Sequence, residues 1–202
     1  MHNISVVVFD LGNVLIPFDY SPAREFLNNK QAGLGDSFFE TYKNNYHVHR
    51  DFEKGLLSRE EFISTMMKWT ENKITEKEFC EIFSNIFTRN EDVIALLPIL
   101  KQKYKLVLLS NTNEIHKEYG YKDSDFLNHF DKLMLSHEVG AVKPEKEIYK
   151  AVEDYTQKPS SEHIFIDDIK EYAEGAKQCG WDAIQFIGYQ NLVDELKKRK
   201  IL

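Results

Sequence analysis

With 202 residues, 42% of them hydrophobic and 29% charged, the chain has room for one well-packed core, or for a core with a modest insertion. Its formal charge of -7, from 26 basic and 33 acidic side chains, argues against a broad electropositive face for nucleic acid, and its apolar runs are far too short for a membrane span. Met1-His2-Asn3 lacks the basic start of a signal peptide, and Cys80 and Cys179 stand far apart without metal-type spacing. We therefore expect a cytoplasmic protein with free thiols that acts on small molecules or protein partners.

In chain order, Val6-Val7-Val8-Phe9 reads as a strand buried on both faces, because β-branched and aromatic residues run on without alternation. It ends on Asp10 and a loop containing Gly12 and Asn13. Pro17 to Pro22 is a breaker-rich connection, and the pattern over 19–88 is helical. Helices are predicted over Ala23–Asn28, from Asp36, and after Ser58 and Thr75, whose Glu61 and Glu78 stand at capping-box spacing. Between them lies a polar stretch with His47, Arg50, Asp51 and Glu53 beside Tyr42, Tyr46 and Phe52, a candidate substrate-facing segment. His47 and His49 are two apart and would point to different helix faces, which disfavours a metal pair.

From Glu91 the pattern alternates. A helix over Glu91–Lys103 with a kink at Pro98 is followed by a strand over Tyr104–Leu109, then Ser110 and Asn111. A helix near Asn113–Tyr119, a loop with Phe126 and Phe130, and a strand over Lys132–Leu135 come next. Pro144 is expected to start a helix to Tyr155; a strand over His163–Ile166 then leads to Asp167 and Asp168. A helix over Lys170–Cys179 closed by Gly180, a strand over Trp181–Ile187 and a helix over Asn191–Lys200 complete the chain. This succession predicts an α/β fold, a doubly wound parallel sheet with right-handed crossovers.

Parallel strands bring their carboxyl ends to one edge, so Asp10, Ser110, Asn111, Lys143 and the Asp167–Asp168 pair should converge there. Singly, each has a bland reading as a helix cap or a surface residue; jointly they describe chemistry. Three carboxylates in one crevice repel unless a cation compensates, and an all-oxygen set suits Mg²⁺. The lysine, the hydroxyl, the amide and N–H groups of the Gly12-Asn13 turn would then hold phosphate oxygens, a set suited to phosphoryl transfer.

Asp10-Leu11-Gly12-Asn13-Val14, Leu109-Ser110-Asn111-Thr112-Asn113, Val142-Lys143-Pro144 and Ile166-Asp167-Asp168 resemble, in order, the four motifs of the haloacid dehalogenase superfamily, in particular the branch containing bacterial α-glucose-1-phosphate phosphatases. The resemblance implies a Rossmann-like core over 1–18 and 89–202 with a helical cap inserted over 19–88. It also implies a Mg²⁺-dependent phosphatase of a small phosphorylated metabolite, a hexose 1-phosphate being the favoured type. By it, Asp10 is the nucleophile that forms an aspartyl-phosphate, and Asp10, the Gly12 carbonyl and Asp168 hold Mg²⁺, with Asp167 beside them. Ser110, Asn111 and Asn13 bind the phosphoryl group, and Lys143 offsets the charge of Asp10 and phosphate. Two positions depart from the family pattern. Gly12 stands where most phosphatases of the superfamily carry an Asp that protonates the leaving group, and Tyr172 stands where the related branch has Asn. These departures motivate an alternative, a catalytically impaired module that binds a phosphate ligand or a protein. A metal-independent 2-haloacid dehalogenase is a further alternative, for which the Asp167–Asp168 pair has no use.

Overall fold

The computed structural model describes residues 3–202, so Met1 and His2 of the start pattern lie outside the described residues. Strand β1 (Val6–Phe9) is followed by five helices: α1 (Ser21–Lys30), α2 (Leu34–Asn44), α3 (Tyr46–Glu53), α4 (Arg59–Trp69) and α5 (Glu76–Ser84). The short helices α6 (Glu91–Ile94) and α7 (Leu97–Leu100) lead to β2 (Lys105–Ser110). Then come α8 (Glu114–His116), a π-helical turn (Lys117–Tyr121), β3 (Lys132–Leu135), α9 (Ser136–Val139), α10 (Lys146–Thr156), β4 (His163–Asp167), α11 (Lys170–Gln178), β5 (Asp182–Gln185) and α12 (Tyr189–Lys198).

The strands form one parallel sheet in the order β3-β2-β1-β4-β5. β1 is central: the chain winds outward through β2 and β3, then returns to lay β4 on the other side. That reversal makes the β1–β4 border a topological switch point, where a crevice opens at the carboxyl ends of the strands. Register fixes what meets there, since Phe9 pairs with Leu108 on one side and Ile166 on the other. Asp10 and Asp167 are thus brought level, and the Asp10 N–H donates to the Ile166 carbonyl at 2.9 Å.

Both faces of the sheet are covered, which is why its strands lack alternation. Val7, Phe9, Leu106, Leu108, Ile164 and Ile166 pack on α7 and α12, whereas Val6, Val8, Val107, Leu109 and Phe165 pack on Ile148, Tyr149 and Trp181. A third apolar cluster, with Phe38, Phe62, Met66, Phe79 and Phe83 at its centre, belongs to α1–α5 and forms the helical cap. Two connecting segments join cap to core side by side: Asp19 N–H donates to Ile86 O at 2.9 Å and Thr88 N–H to Pro17 O at 2.8 Å. Both capping boxes form, with Ser58 and Glu61 at the start of α4 and Thr75 and Glu78 at the start of α5 exchanging side-chain bonds.

Local differences from the sequence reading have physical causes. The helix expected over 91–103 is broken into α6 and α7, because Pro98 lacks the N–H to continue a helix and instead sits in the first turn of a new one. Pro144 does not open α10, which begins two residues later; it belongs to the loop carrying Lys143. The polar stretch forms α3, an amphipathic helix whose buried face is His49, Phe52 and Glu53.

Candidate active site at the carboxyl edge of the sheet

Asp10 follows the last residue of β1, Asp167 ends β4, and Lys143 comes from the loop before α10. Lys143 is 1% exposed, and its Nζ lies 2.7 Å from Asp10 Oδ1 and 2.7 Å from Asp167 Oδ2. Burial by itself would push this ammonium toward neutrality; Asp10 and Asp167 reverse the effect and raise its pKa, so it stays charged. Its charge also stands over the rings of Tyr172 (5.1 Å) and Phe165 (5.3 Å). The remaining Asp167 oxygen accepts the Ile169 N–H at 2.8 Å.

Asp168 completes an acidic triad: one carboxylate oxygen each from Asp10, Asp167 and Asp168 lie within 4.8 Å of one another. Burial, with Asp167 and Asp168 adding and Lys143 opposing, pushes the Asp10 carboxyl up to about 8. Burial likewise raises Asp168, against the Asn13 amide that donates to it at 3.1 Å. Carboxyls driven toward protonation by burial and by one another are the condition a divalent cation relieves, and an all-oxygen donor set fits Mg²⁺. One lysine does not balance the three acids.

The other motif residues take particular places. Ser110 is buried and lines the cavity above the triad, as does Asn111. The Asn111 side chain clamps the lysine loop: its Oδ1 accepts the Lys143 N–H at 2.8 Å and its Nδ2 donates to the Lys143 carbonyl at 3.2 Å. Asn13 has a left-handed backbone (φ 53°), a conformation asparagine tolerates. Its N–H turns inward to Ile16 O at 3.2 Å, so the turn offers phosphate one donor fewer than the sequence reading expects. Gly12 borders the cavity, and a Cβ placed there would stand 3.4 Å from the Phe18 ring, so its backbone does not require glycine.

A cavity of about 260 Å³ lies between the sheet edge and the cap, reaching Asp10, Lys143 and Asp168 below and α2, α3 and α8 above. Of the polar stretch, Arg50 and Glu53 line it, together with His49, whereas His47 is exposed and Asp51 lies outside the lining. These groups form a network: Tyr42 Oη and His49 Nδ1 are 2.7 Å apart, His49 Nε2 lies 3.1 Å from Glu53 Oε1, and Arg50 Nη1 lies 3.4 Å from Glu53 Oε2. Burial would raise the Glu53 carboxyl, but His49 and Arg50 together outweigh it and hold it below the ordinary value, hence ionised. Arg50 also donates to the Lys143 carbonyl at 2.9 Å and approaches Tyr172 Oη at 3.4 Å, tying the cap to the lysine loop. A second tie is the Lys54–Glu145 pair at 2.8 Å.

The structure therefore brings Asp10, Gly12, Asn13, Ser110, Asn111, Lys143, Asp167 and Asp168 to one edge. Sequence reasoning missed Tyr20, Thr112, Tyr121 and His116 in the lining, and it met Tyr172 only as a departure. The available signal was the spacing of His49 and Glu53, four residues apart on one face of α3.

Comparison with known proteins agrees with this architecture. A family model for haloacid dehalogenase-like hydrolases matches residues 4–180. The D-ribitol-5-phosphate phosphatase of Bacteroides thetaiotaomicron is 28% identical over 196 residues, covering 90% of this chain and 91% of that protein. The crystal structure of a haloacid dehalogenase family enzyme from the same organism, in complex with magnesium and inorganic phosphate, superposes with a TM-score of 0.76 at 27% identity, covering 90% of this chain and 93% of the other. A protein from Porphyromonas gingivalis, a predicted HAD-like family hydrolase, shares the fold with a TM-score of 0.80 at 22% identity, over 98% of both chains.

Proposed function

The chain belongs to the haloacid dehalogenase-like hydrolases, and from that premise we propose that it is a Mg²⁺-dependent phosphatase of small phosphorylated metabolites. Sugar and polyol phosphates are the foremost class, hexose 1-phosphates and alditol phosphates such as the relative's substrate among them. The observation that carries this reading is Lys143, buried between Asp10 and Asp167 with Asp168 in reach, at the floor of a cavity roofed by the cap.

Asp10 and Asp168, with the Gly12 carbonyl, would hold Mg²⁺, and Asp167 would orient the set through Lys143 and the Ile169 N–H. When bound, the ion offsets the charge of the carboxylates and of the phosphate oxygens beside them. Asp10 attacks phosphorus, the bond to the leaving oxygen breaks, and water then hydrolyses the aspartyl-phosphate to regenerate the carboxylate. Lys143 opposes the protonation that burial favours at Asp10 and stabilises charge on the transferring group. Ser110, at the end of β2 in the cavity lining, holds a phosphoryl oxygen, while Asn111 acts by fixing the lysine loop and Asn13 by fixing Asp168. Gly12 offers no proton to the leaving oxygen, so turnover lacks an aid worth roughly 10²- to 10⁴-fold. We place the joints between core and cap at 18/19 and 88/89.

The test is phosphate release across sugar phosphates, alditol phosphates, acyl phosphates and nucleotides, with Mg²⁺ or with chelator. Release confined to Mg²⁺ and strongest for sugar or alditol phosphates supports the reading. Chloride release from a 2-haloacid in chelator would contradict it.

A further inference from the structure

We propose that Glu53 is the specificity-determining residue of the cap: it accepts hydroxyl groups of an uncharged, polyhydroxylated leaving group and turns away substrates that carry a second anion. This rests on the phosphatase reading and narrows it.

The inference follows from how charge is distributed around the cavity. Among the described residues, Lys143 and Arg50 are the only Lys or Arg in the lining. Both are committed, Lys143 to Asp10 and Asp167, and Arg50 to Glu53 and the Lys143 carbonyl. A second phosphate or a carboxylate on the substrate would therefore find no unpaired guanidinium or ammonium in the cap half, and would meet the buried carboxylate of Glu53 instead. Like charges brought together in a site partly withdrawn from water repel.

Hydroxyl groups meet a different wall. A carboxylate has about four acceptor directions, and on Glu53 one is met by His49 and one by Arg50. The rest are open to O–H donors from the cavity. Around it stand Tyr20, Tyr42, Tyr46 and Tyr172, whose rings offer faces to C–H groups and whose hydroxyls both donate and accept. Glu53 is itself only 6% exposed. A buried ionised group of this kind is retained at a cost, and a ligand that completes its hydrogen bonding gives the arrangement a use.

The test compares kcat/KM for two uncharged leaving groups, ribitol 5-phosphate and glucose 1-phosphate, with two anionic ones, 3-phosphoglycerate and fructose 1,6-bisphosphate. Wild type should favour the first pair, and Glu53→Gln should shrink that preference by about tenfold or more, a factor worth 1.4 kcal/mol. Glu53→Asp, which keeps the charge, should retain the exclusion of anions while raising KM for the polyol. Calorimetric titration of Asp10→Asn protein with ribitol 5-phosphate and with 3-phosphoglycerate reads the same preference without turnover. It separates failure of this inference from failure of the phosphatase reading. Equal handling of both classes by wild type, or an unchanged preference in a folded Glu53→Gln, would overturn the assignment.

Discussion

Lys143→Met removes the one positive charge lodged between Asp10 and Asp167 while keeping the length of the side chain. In wild type the ammonium lies 2.7 Å from each carboxylate and is 1% exposed, so water cannot take its place without rearranging the loop. Removing one partner of a buried ion pair leaves an uncompensated charge and costs about 3–5 kcal/mol. At about 2–4 °C per kcal/mol for a chain of this size, the melting temperature in chelator should fall by roughly 6–20 °C. The loss should be coupled to Asp10: in the double variant with Asp10→Asn one of the two stranded carboxylates is gone, and the combined loss should be smaller than the sum by about 1 kcal/mol or more. Urea or thermal denaturation of the four proteins measures both quantities. A Lys143→Met protein within about 1 kcal/mol of wild type, with losses that add, would refute the claim that the ammonium neutralises this pair.

Further predictions follow from neighbouring residues. Gly12→Asp restores an acid where the added Cβ stands 3.4 Å from Phe18; it should accelerate hydrolysis of alkyl phosphates more than aryl phosphates, and equal or absent gains would refute the role given to the missing proton donor. Asn13→Gly keeps the left-handed backbone (φ 53°) but deletes the amide that donates to Asp168; a Mg²⁺ titration should show affinity reduced by roughly 10–100-fold. His116 is held neutral, burial and then His49 lowering its pKa to about 3. Below the unfolded value of 6.5 the unfolded chain binds the proton and the native one does not, so stability is full above that pH and falls as pH drops toward 3, by up to about 1.4 kcal/mol per unit. His116→Phe, which keeps the stack on Phe83 at 4.4 Å, should flatten that slope and remove the unpartnered Nε2; an unaltered slope in urea melts between pH 4 and 7 would assign it elsewhere.

The convergence of Asp10, Ser110 and Asp167–Asp168 was legible because unbroken apolar runs end at these residues or just before them, and parallel strands share an edge; Lys143 joins them from the loop beyond the third strand. The capping boxes were legible because their spacing is local. Helix α3 was not, because its buried face carries His49 and Glu53, so no apolar stripe betrays it. Nor could spacing tell that both amide atoms of Asn111 would close on the Lys143 backbone, or that Tyr172 would stand under the Lys143 ammonium. Those contacts depend on loops meeting in three dimensions. The kink expected at Pro98 is instead a break between two four-residue helices, with Pro98 in the first turn of the second, where its missing N–H has no intrahelical partner to lose.

In the proposed function Asp10 is the reacting carboxylate, paired with Lys143 and lining the cavity. Acid quenching of enzyme mixed with Mg²⁺ and a radiophosphorus-labelled sugar or alditol phosphate, for wild type beside Asp10→Asn, tests that most directly. The account predicts a hydroxylamine-labile label on wild type and, for Asp10→Asn, neither label nor phosphate release. Undiminished release by Asp10→Asn, or an equal label on both proteins, would contradict it.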